Sequence, residues 1–246
     1  TTALAAGAST RAFGMDQKLT TMTINNNRID LGDLNSVLVQ KFTYGKFEGT
    51  IGVDAVLSDP WNMDMWGTTV TTGAGPYTHT TDDSKSVNAY TVELGIDAET
   101  TDRVLQLQRA TLNSMTISAA GINEPVRIRC DMQFGATPNI AGTVLDASLI
   151  TDGIQFPYTF VTARLQNPSG VNLAEVQNFD FTINPNIRHV PEPNTRNSVN
   201  AFKGRLDLTG KFNLAIKDNT WWDNVMARAE PTNNTLRMIF SNEDTT

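Results

Sequence analysis

The sequence is poor in the side chains that carry chemistry near neutral pH. Among 246 residues it has two histidines, His79 and His189, and a single cysteine, Cys130. Acid–base or nucleophilic catalysis needs several such groups converging on one point. The motifs that mark such convergence are missing: no G-x-S-x-G, no phosphate-cradling loop, no G-x-G-x-x-G behind a strand. Gly73-Ala-Gly75 is only a loop tripeptide. His189 with Glu192 nearby falls short of a metal site, and both histidines read as solvated loop residues. Asp16 and Asp82-Asp83 lack the spacing of a calcium loop, so neither metal nor cofactor is expected. Asn233-Asn-Thr235 fits the glycosylation pattern, which is short enough to arise by chance. One cysteine cannot build a disulfide framework within the chain. Set between Arg129 and Asp131, Cys130 reads as a buried core thiol. No apolar run approaches the roughly 18 residues of a membrane span. Positive charge is also scarce. Lys and Arg number 19 against 26 Asp and Glu, for a net charge of −7 and a pI near 4.8. That balance argues against gripping nucleic acid through its phosphates. It does not argue against a protein that must avoid sticking to DNA.

What the chain does have is two-residue alternation. Phe47, Gly49, Ile51, Val53 and Ala55 share one face, and Lys46, Glu48, Thr50, Gly52 and Asp54 the other, as in a strand with one side on a core. Val126, Ile128, Cys130, Met132 and Phe134 oppose Arg127, Arg129, Asp131 and Gln133 in the same way. A third long strand is expected over 202–216, with Phe202, Gly204, Leu206, Leu208, Gly210, Phe212 and Leu214 inward. Further strands are expected at 89–96, 103–118 (with a rival helix over 100–110), 156–165, 176–184 and 236–240. Turns are expected at 97–102 and 167–170. A junction over 135–153 has a possible short helix near 145–149. Ser58-Asp59-Pro60 can start a short helix carrying Trp61, Met65 and Trp66, and Gly67 can end it. A second is expected over 218–227. The four tryptophans read as core anchors. Residues 68–88 and 185–200 lack an apolar period and read as long loops, which usually serve a partner or a function.

The landmarks recur in order. Met22-Thr-Ile-Asn-Asn-Asn returns as Phe181-Thr-Ile-Asn-Pro-Asn, Asn35-Ser-Val37 as Asn197-Ser-Val199, and Gly45-Lys-Phe47 as Gly210-Lys-Phe212. The Trp segments at 59–66 and 218–225 match as well. The offsets run from about 159 to about 165 residues. Asn113-Ser-Met-Thr-Ile-Ser118 followed by 126–134 resembles a third, helix-free version. We therefore expect an arm over 1–19, a β domain over 20–242 with related halves at about 20–135 and 155–242, and a tail over 243–246. Thr1 to Gly14 lacks a basic region and a long apolar run, so it reads as a flexible or partner-ordered arm, not as a convincing signal peptide.

The polar strand faces are the candidate site. An ordinary solvated face is one reading. The sharper one is the lining of a water-filled channel, with each subunit's free strand edge completed by the next around a ring. Lys46, Glu48, Thr50, Asp54, Arg127, Asp131, Arg205, Asp207 and Thr209 would then face the lumen. On these faces six cations, Lys46, Arg127, Arg129, Lys203, Arg205 and Lys211, stand against five acids, Glu48, Asp54, Asp131, Asp180 and Asp207. Thr72, Tyr77, Asp82, Pro191 and Arg196 are candidates for contacts between subunits.

The ordered series is similar to that of the tail tube proteins of tailed phages. It runs through Gly49-Thr-Ile-Gly-Val53 before a Trp segment, Ala89-Tyr-Thr-Val-Glu-Leu-Gly95 and Leu112-Asn-Ser-Met-Thr-Ile-Ser118. It continues through Val176-Gln-Asn-Phe-Asp-Phe-Thr-Ile-Asn184 and Gly204-Arg-Leu-Asp-Leu-Thr-Gly210, and it covers roughly Thr20 to Asn242. The resemblance implies a mainly β fold: an antiparallel β-sandwich with long hairpins and one or two short flanking α-helices. It implies a structural, non-enzymatic protein of the virion tail whose subunits form rings, usually hexameric. Those rings would stack into a tube that genome DNA traverses on ejection. The expected partners are the chain itself and other tail proteins (tape measure, tail terminator, baseplate or tip), with no membrane. It also implies an acidic lumen, whereas the faces above are nearly neutral. The repeat equally permits a three-fold, pseudo-hexameric ring. A different class stays open: a virion carbohydrate- or host-binding β-sandwich using exposed tryptophans as a platform.

Overall fold

The computed structural model describes residues 13–32, 39–58, 65, 68–70, 79–81, 88–96, 103–141, 157–166, 170–191, 195–217, 219, 223, 226–227 and 235–241. Its elements are β1 (Met15–Asn25), β2 (Arg28–Gly32), β3 (Val39–Tyr44), β4 (Glu48–Val56), β5 (Thr68–Val70), β6 (His79–Thr81), β7 (Tyr90–Ile96) and β8 (Arg103–Ala119). They continue with β9 (Arg127–Phe134), β10 (Asn139–Ala141), β11 (Thr159–Gln166), β12 (Asn172–Asn184), β13 (Arg188–Pro191), β14 (Ser198–Phe202), β15 (Asp207–Ile216) and β16 (Thr235–Ser241). The fold is mainly β, as expected. A ten-stranded antiparallel sheet runs β1-β4-β9-β8-β12, continues to β11 and β16, and adds β15 beside β12 and β7 and β10 beside β8.

Alternation builds the core as read. Phe47, Ile51, Val53, Ala55, Val126, Ile128, Cys130, Met132 and Phe134 are all buried. Burial pushes the Cys130 thiol's pKa far up, with a smaller push from Asp131, so it stays an inert, protonated core group. β12 delivers Phe179 to the same core, where Phe160 of β11 meets it edge-on at 5.1 Å between centroids and Phe240 of β16 packs at 5.7 Å. β11 and β16 thus carry the sheet back over its own apolar face, a sandwich-like arrangement.

β8 is one long strand, and the rival helix over its first half is absent. Arg109 sits at φ 56°, and register slips occur opposite it and between Leu112 and Ser114. Each bulge moves the inward set by one residue. Leu107, then Ala110 and Leu112, then Met115, Ile117 and Ala119 are therefore buried in turn.

Several expectations are corrected. The segments over 68–88 and 185–200 are not structureless loops: β5 pairs with β6, and β13 with β14. The link between β1 and β4 likewise contains the β2–β3 hairpin. The strand expected over 202–216 is broken at 203–206. Phe202 and Leu208, read as inward, are 54% and 53% exposed. The break is a chain reversal at Gly204, whose N–H donates to the carbonyls of Pro185 and Asn186 at 3.1 Å. A Cβ there would stand 2.6 Å from Asn186 O.

That reversal also corrects the repeat alignment: Gly45 corresponds to Gly204, not Gly210. Asn27 and Asn186 both adopt left-handed backbone, φ 45° and 49°, which asparagine tolerates better than most residues. Their backbone N–H groups donate alike to Asn25 Oδ1 and Asn184 Oδ1. Their side-chain amides donate to Lys46 O at 2.6 Å and Arg205 O at 2.7 Å. Gly45 N–H donates to Asn27 O as Gly204 N–H does to Asn186 O. The strand registers agree too: Asn25 faces Glu48 and Thr23 faces Thr50 in one copy, Asn184 faces Asp207 and Thr182 faces Thr209 in the other.

The Trp-bearing segments fall almost wholly outside the described residues, and so do all four tryptophans. Within them Met65 is buried, and Ala227 N–H donates to Asp223 O at 2.8 Å, the bond of a helical turn. The arm before Phe13, the turns at 97–102 and 167–169, the possible helix near 145–149 and the final tail also lie outside.

Candidate functional site

Directly opposite residues of an antiparallel pair point to the same side of a sheet. The registers therefore define rows of side chains on the face opposite the core. One row runs Lys18, Asp54, Arg129, Thr116, Thr182, Thr209 across β1, β4, β9, β8, β12 and β15. The next runs Val56, Arg127, Ser118, Asp180, Lys211. Beyond Asp54 lie Gly52 and Asp131, then Thr50 and Gln133. Six strands thus present one nearly continuous polar face.

Several of its charges are paired. Arg127 donates through Nε to Asp54 Oδ1 at 2.9 Å, bonds the same oxygen through a second guanidinium nitrogen, and reaches Asp16 at 3.5 Å. The Asp54 bond is the main reason the Arg127 pKa is raised above its ordinary value. Arg129 lies 3.4 Å from Asp131, which also accepts from Ser114 Oγ at 3.2 Å. Lys46 pairs with Glu48 at 2.5 Å and Arg205 with Asp207 at 3.3 Å. The Lys18 ammonium bonds Asp16 and is the first cause of that carboxylate's lowered pKa. Four of the six cations counted in the sequence, Lys46, Arg127, Arg129 and Arg205, thus stand in ion pairs with neighbouring acids. Being partly solvated, each stabilises the fold by only about 0.2–1 kcal/mol. Their larger effect is to leave little uncompensated positive charge.

Among the described residues no group of three or more metal-ligating side chains occurs. A family model described as "Phage tail tube protein" matches residues 5–244. The chain belongs to that family. No curated protein matches it. As a tail tube protein it is a structural component of the virion tail, and the family implies self-assembly and association with other tail proteins.

The tail tube chain departs from its sequence reading at His189. Read as a solvated loop residue, it is 6% exposed, clamped between β13 and the sheet. The Thr111 hydroxyl donates to Gln133 O at 3.2 Å, which leaves its oxygen to accept from His189 Nε2 at 2.7 Å. Ser198 N–H from β14 donates to Gly135 O at 2.7 Å, completing the seat of the hairpin. The missing signal lay in tertiary pairing, since nothing local marks His189 as core. Burial, then the nearby Lys46, lowers the His189 pKa; Glu48 acts against them, as does a hydrogen bond with the Gln133 backbone. Arg109 also approaches this hairpin, 3.5 Å from Ser198 O. An unfolded chain takes up a proton below about pH 6.5 where the folded chain resists it, so stability is full above that pH and falls below it. Chemical denaturation between pH 7.5 and 5 should show this loss, and His189→Gln should flatten it. An equal slope in both proteins would contradict the assignment.

Of the residues expected at subunit contacts, Thr72, Tyr77 and Asp82 lie outside the described residues. Pro191 ends β13. Arg196 is engaged within its own chain: its guanidinium lies 4.5 Å from the Tyr44 ring centroid and donates to Asn26 Oδ1 at 3.1 Å and Gly45 O at 3.3 Å.

Proposed function

We propose that copies of this chain join edge to edge into rings, which stack into a tube whose channel wall is the polar sheet face. Genome DNA passes along that wall during ejection, and the stack is bounded by tape-measure, terminator and baseplate or tip proteins. The observation that carries this reading is the pair of open edges. Among the described residues, β1 pairs only with β4 and β15 only with β12. The two edge strands are similar in length, 11 and 10 residues. They also run in opposite directions, as the antiparallel order requires. Both carry apolar side chains on the core side that their own chain does not cover. Leu19 faces Val53 and Ile24 faces Gly49 yet both are exposed, and Leu208 faces the buried Ile183. Joining β15 to the β1 of a neighbour satisfies both backbones, extends the apolar layer and continues the polar face.

Electron microscopy of the purified protein and of Leu19→Lys and Leu208→Lys tests this. The wild type should form rings or rods. Each variant should melt within a few degrees of it but remain monomeric, because a lysine there meets water in the monomer and an apolar layer in the ring. Rods of normal yield from both variants would overturn the edge pairing.

A further inference from the structure

The two repeated corners are built alike but covered differently. The first, around Phe47, lies under the β13–β14 hairpin of its own chain. Phe47 N–H donates to Arg196 O at 2.9 Å, and Phe47 is 1% exposed. The Lys46 side chain beside it is 27% exposed. At the second corner Arg205 takes the place of Lys46, and its side chain is 90% exposed. Leu206 takes the place of Phe47 and is only partly buried, and Leu208 is exposed.

The hairpins show the converse. β13–β14 buries His189 and Ser198 against the sheet, whereas its counterpart β2–β3 leaves Ile29 and Phe42 about half exposed, 49% and 52%. Among the described residues one corner therefore lacks a cover, and one hairpin lacks a seat.

We propose that the β2–β3 hairpin of a second copy seats on the corner formed by residues 184–208, as β13–β14 seats on the first corner within one chain. The inference rests on the ring reading above and names the contact that locks neighbours together. The same chain cannot make it. Within one chain β13–β14 already lies across β8, the end of β9 and the first corner, through Thr111, Gly135 and Phe47, and so stands between β2–β3 and the second corner.

A neighbour can. β1 ends at Asn25 and β2 begins at Arg28, and β15 starts at Asp207 inside the corner. The shared rows place Asn25 and Asp207 at the same end of the sheet. A neighbour's β1 laid along β15 therefore delivers its β2–β3 hairpin to the open corner. The surfaces suit each other. Phe42 brings apolar area to Leu206 and Leu208, and Asp30, which lies opposite Phe42 on the same side of the hairpin and pairs with Arg28 at 2.7 Å, brings a carboxylate toward Arg205. Two exposed apolar patches leave water in one step.

The test replaces Phe42 with p-benzoylphenylalanine in the full chain and assembles it with isotope-labelled wild-type chains. The rods are then irradiated and the adducts mapped by mass spectrometry. Adducts should join position 42 of one chain to residues 184–208 of a chain of the other isotope. Rods whose adducts lie elsewhere, or within one chain, would overturn the inference and leave the ring reading standing. Failure of the wild type to form rings or rods would defeat the ring reading, and this inference with it. If the probe at Phe42 blocks assembly, a probe at Leu208 gives the reciprocal map, for which adducts to residues 28–44 are expected and adducts elsewhere count against the contact.

Discussion

Gly49→Ala is expected to destabilise the subunit by about 1–3 kcal/mol, the range for overfilling a packed core. The Phe134 ring lies directly over Gly49 in the neighbouring strand. A Cβ added there would stand 2.1 Å from Phe134 Cζ and 2.3 Å from Cε2. The ring has nowhere to withdraw: Phe134 is fully buried and packs against Phe47 at 6.1 Å between centroids. Phe134→Leu alone should also destabilise, by opening a cavity. The double variant should recover part of the loss, because the new methyl fills that space. Denaturant unfolding of the four proteins gives the coupling directly. Additive losses would show that the ring and the glycine do not share the space described.

The second large effect is expected on the polar face. Glu48→Gln, Asp131→Asn and Asp207→Asn together remove the acidic partners of Lys46, Arg129 and Arg205. Asp54 is left in place because two nitrogens of Arg127 depend on it. These side chains lie opposite the core, so rods should still assemble. The wall would gain three net positive charges per chain, repeated along the whole tube. Each cation that meets a phosphate releases counterions, so retention should grow steeply as salt falls. DNA release from virions carrying the variant, followed with a DNA-binding dye, should slow on the order of tenfold or more at low salt and recover as salt is added. Release at the normal rate at every salt concentration would contradict a DNA-facing wall.

How much was legible follows from where each signal resides. The alternation at 47–55 and 126–134 reports local burial, so those core faces were readable residue by residue. β8 reads as one strand, but its two bulges are fixed by partners far along the chain, and no local period reveals them. The run 202–208 alternates as well as any strand, yet the hydrogen bonds of Gly204 to Pro185 and Asn186 turn the chain there. That turn decides exposure. The Thr-Ile-Asn echo was visible, but matching Gly45 to Gly204 needed the two asparagine corners, which are side-chain geometry. His189 carried no local mark of burial, because its partner Thr111 is 78 residues away. On the polar face the residue types were readable and the neutralising pairs were not. Whether Arg127 leans toward Asp54 depends on strand order.

The most direct test of the account is a structure of the assembled rod by electron cryomicroscopy. Thr50, Asp131 and Thr209 should line the central channel, and β15 of each subunit should be hydrogen-bonded to β1 of the next. A rod with these side chains on its outer surface, or with β15 left unpaired, would contradict it.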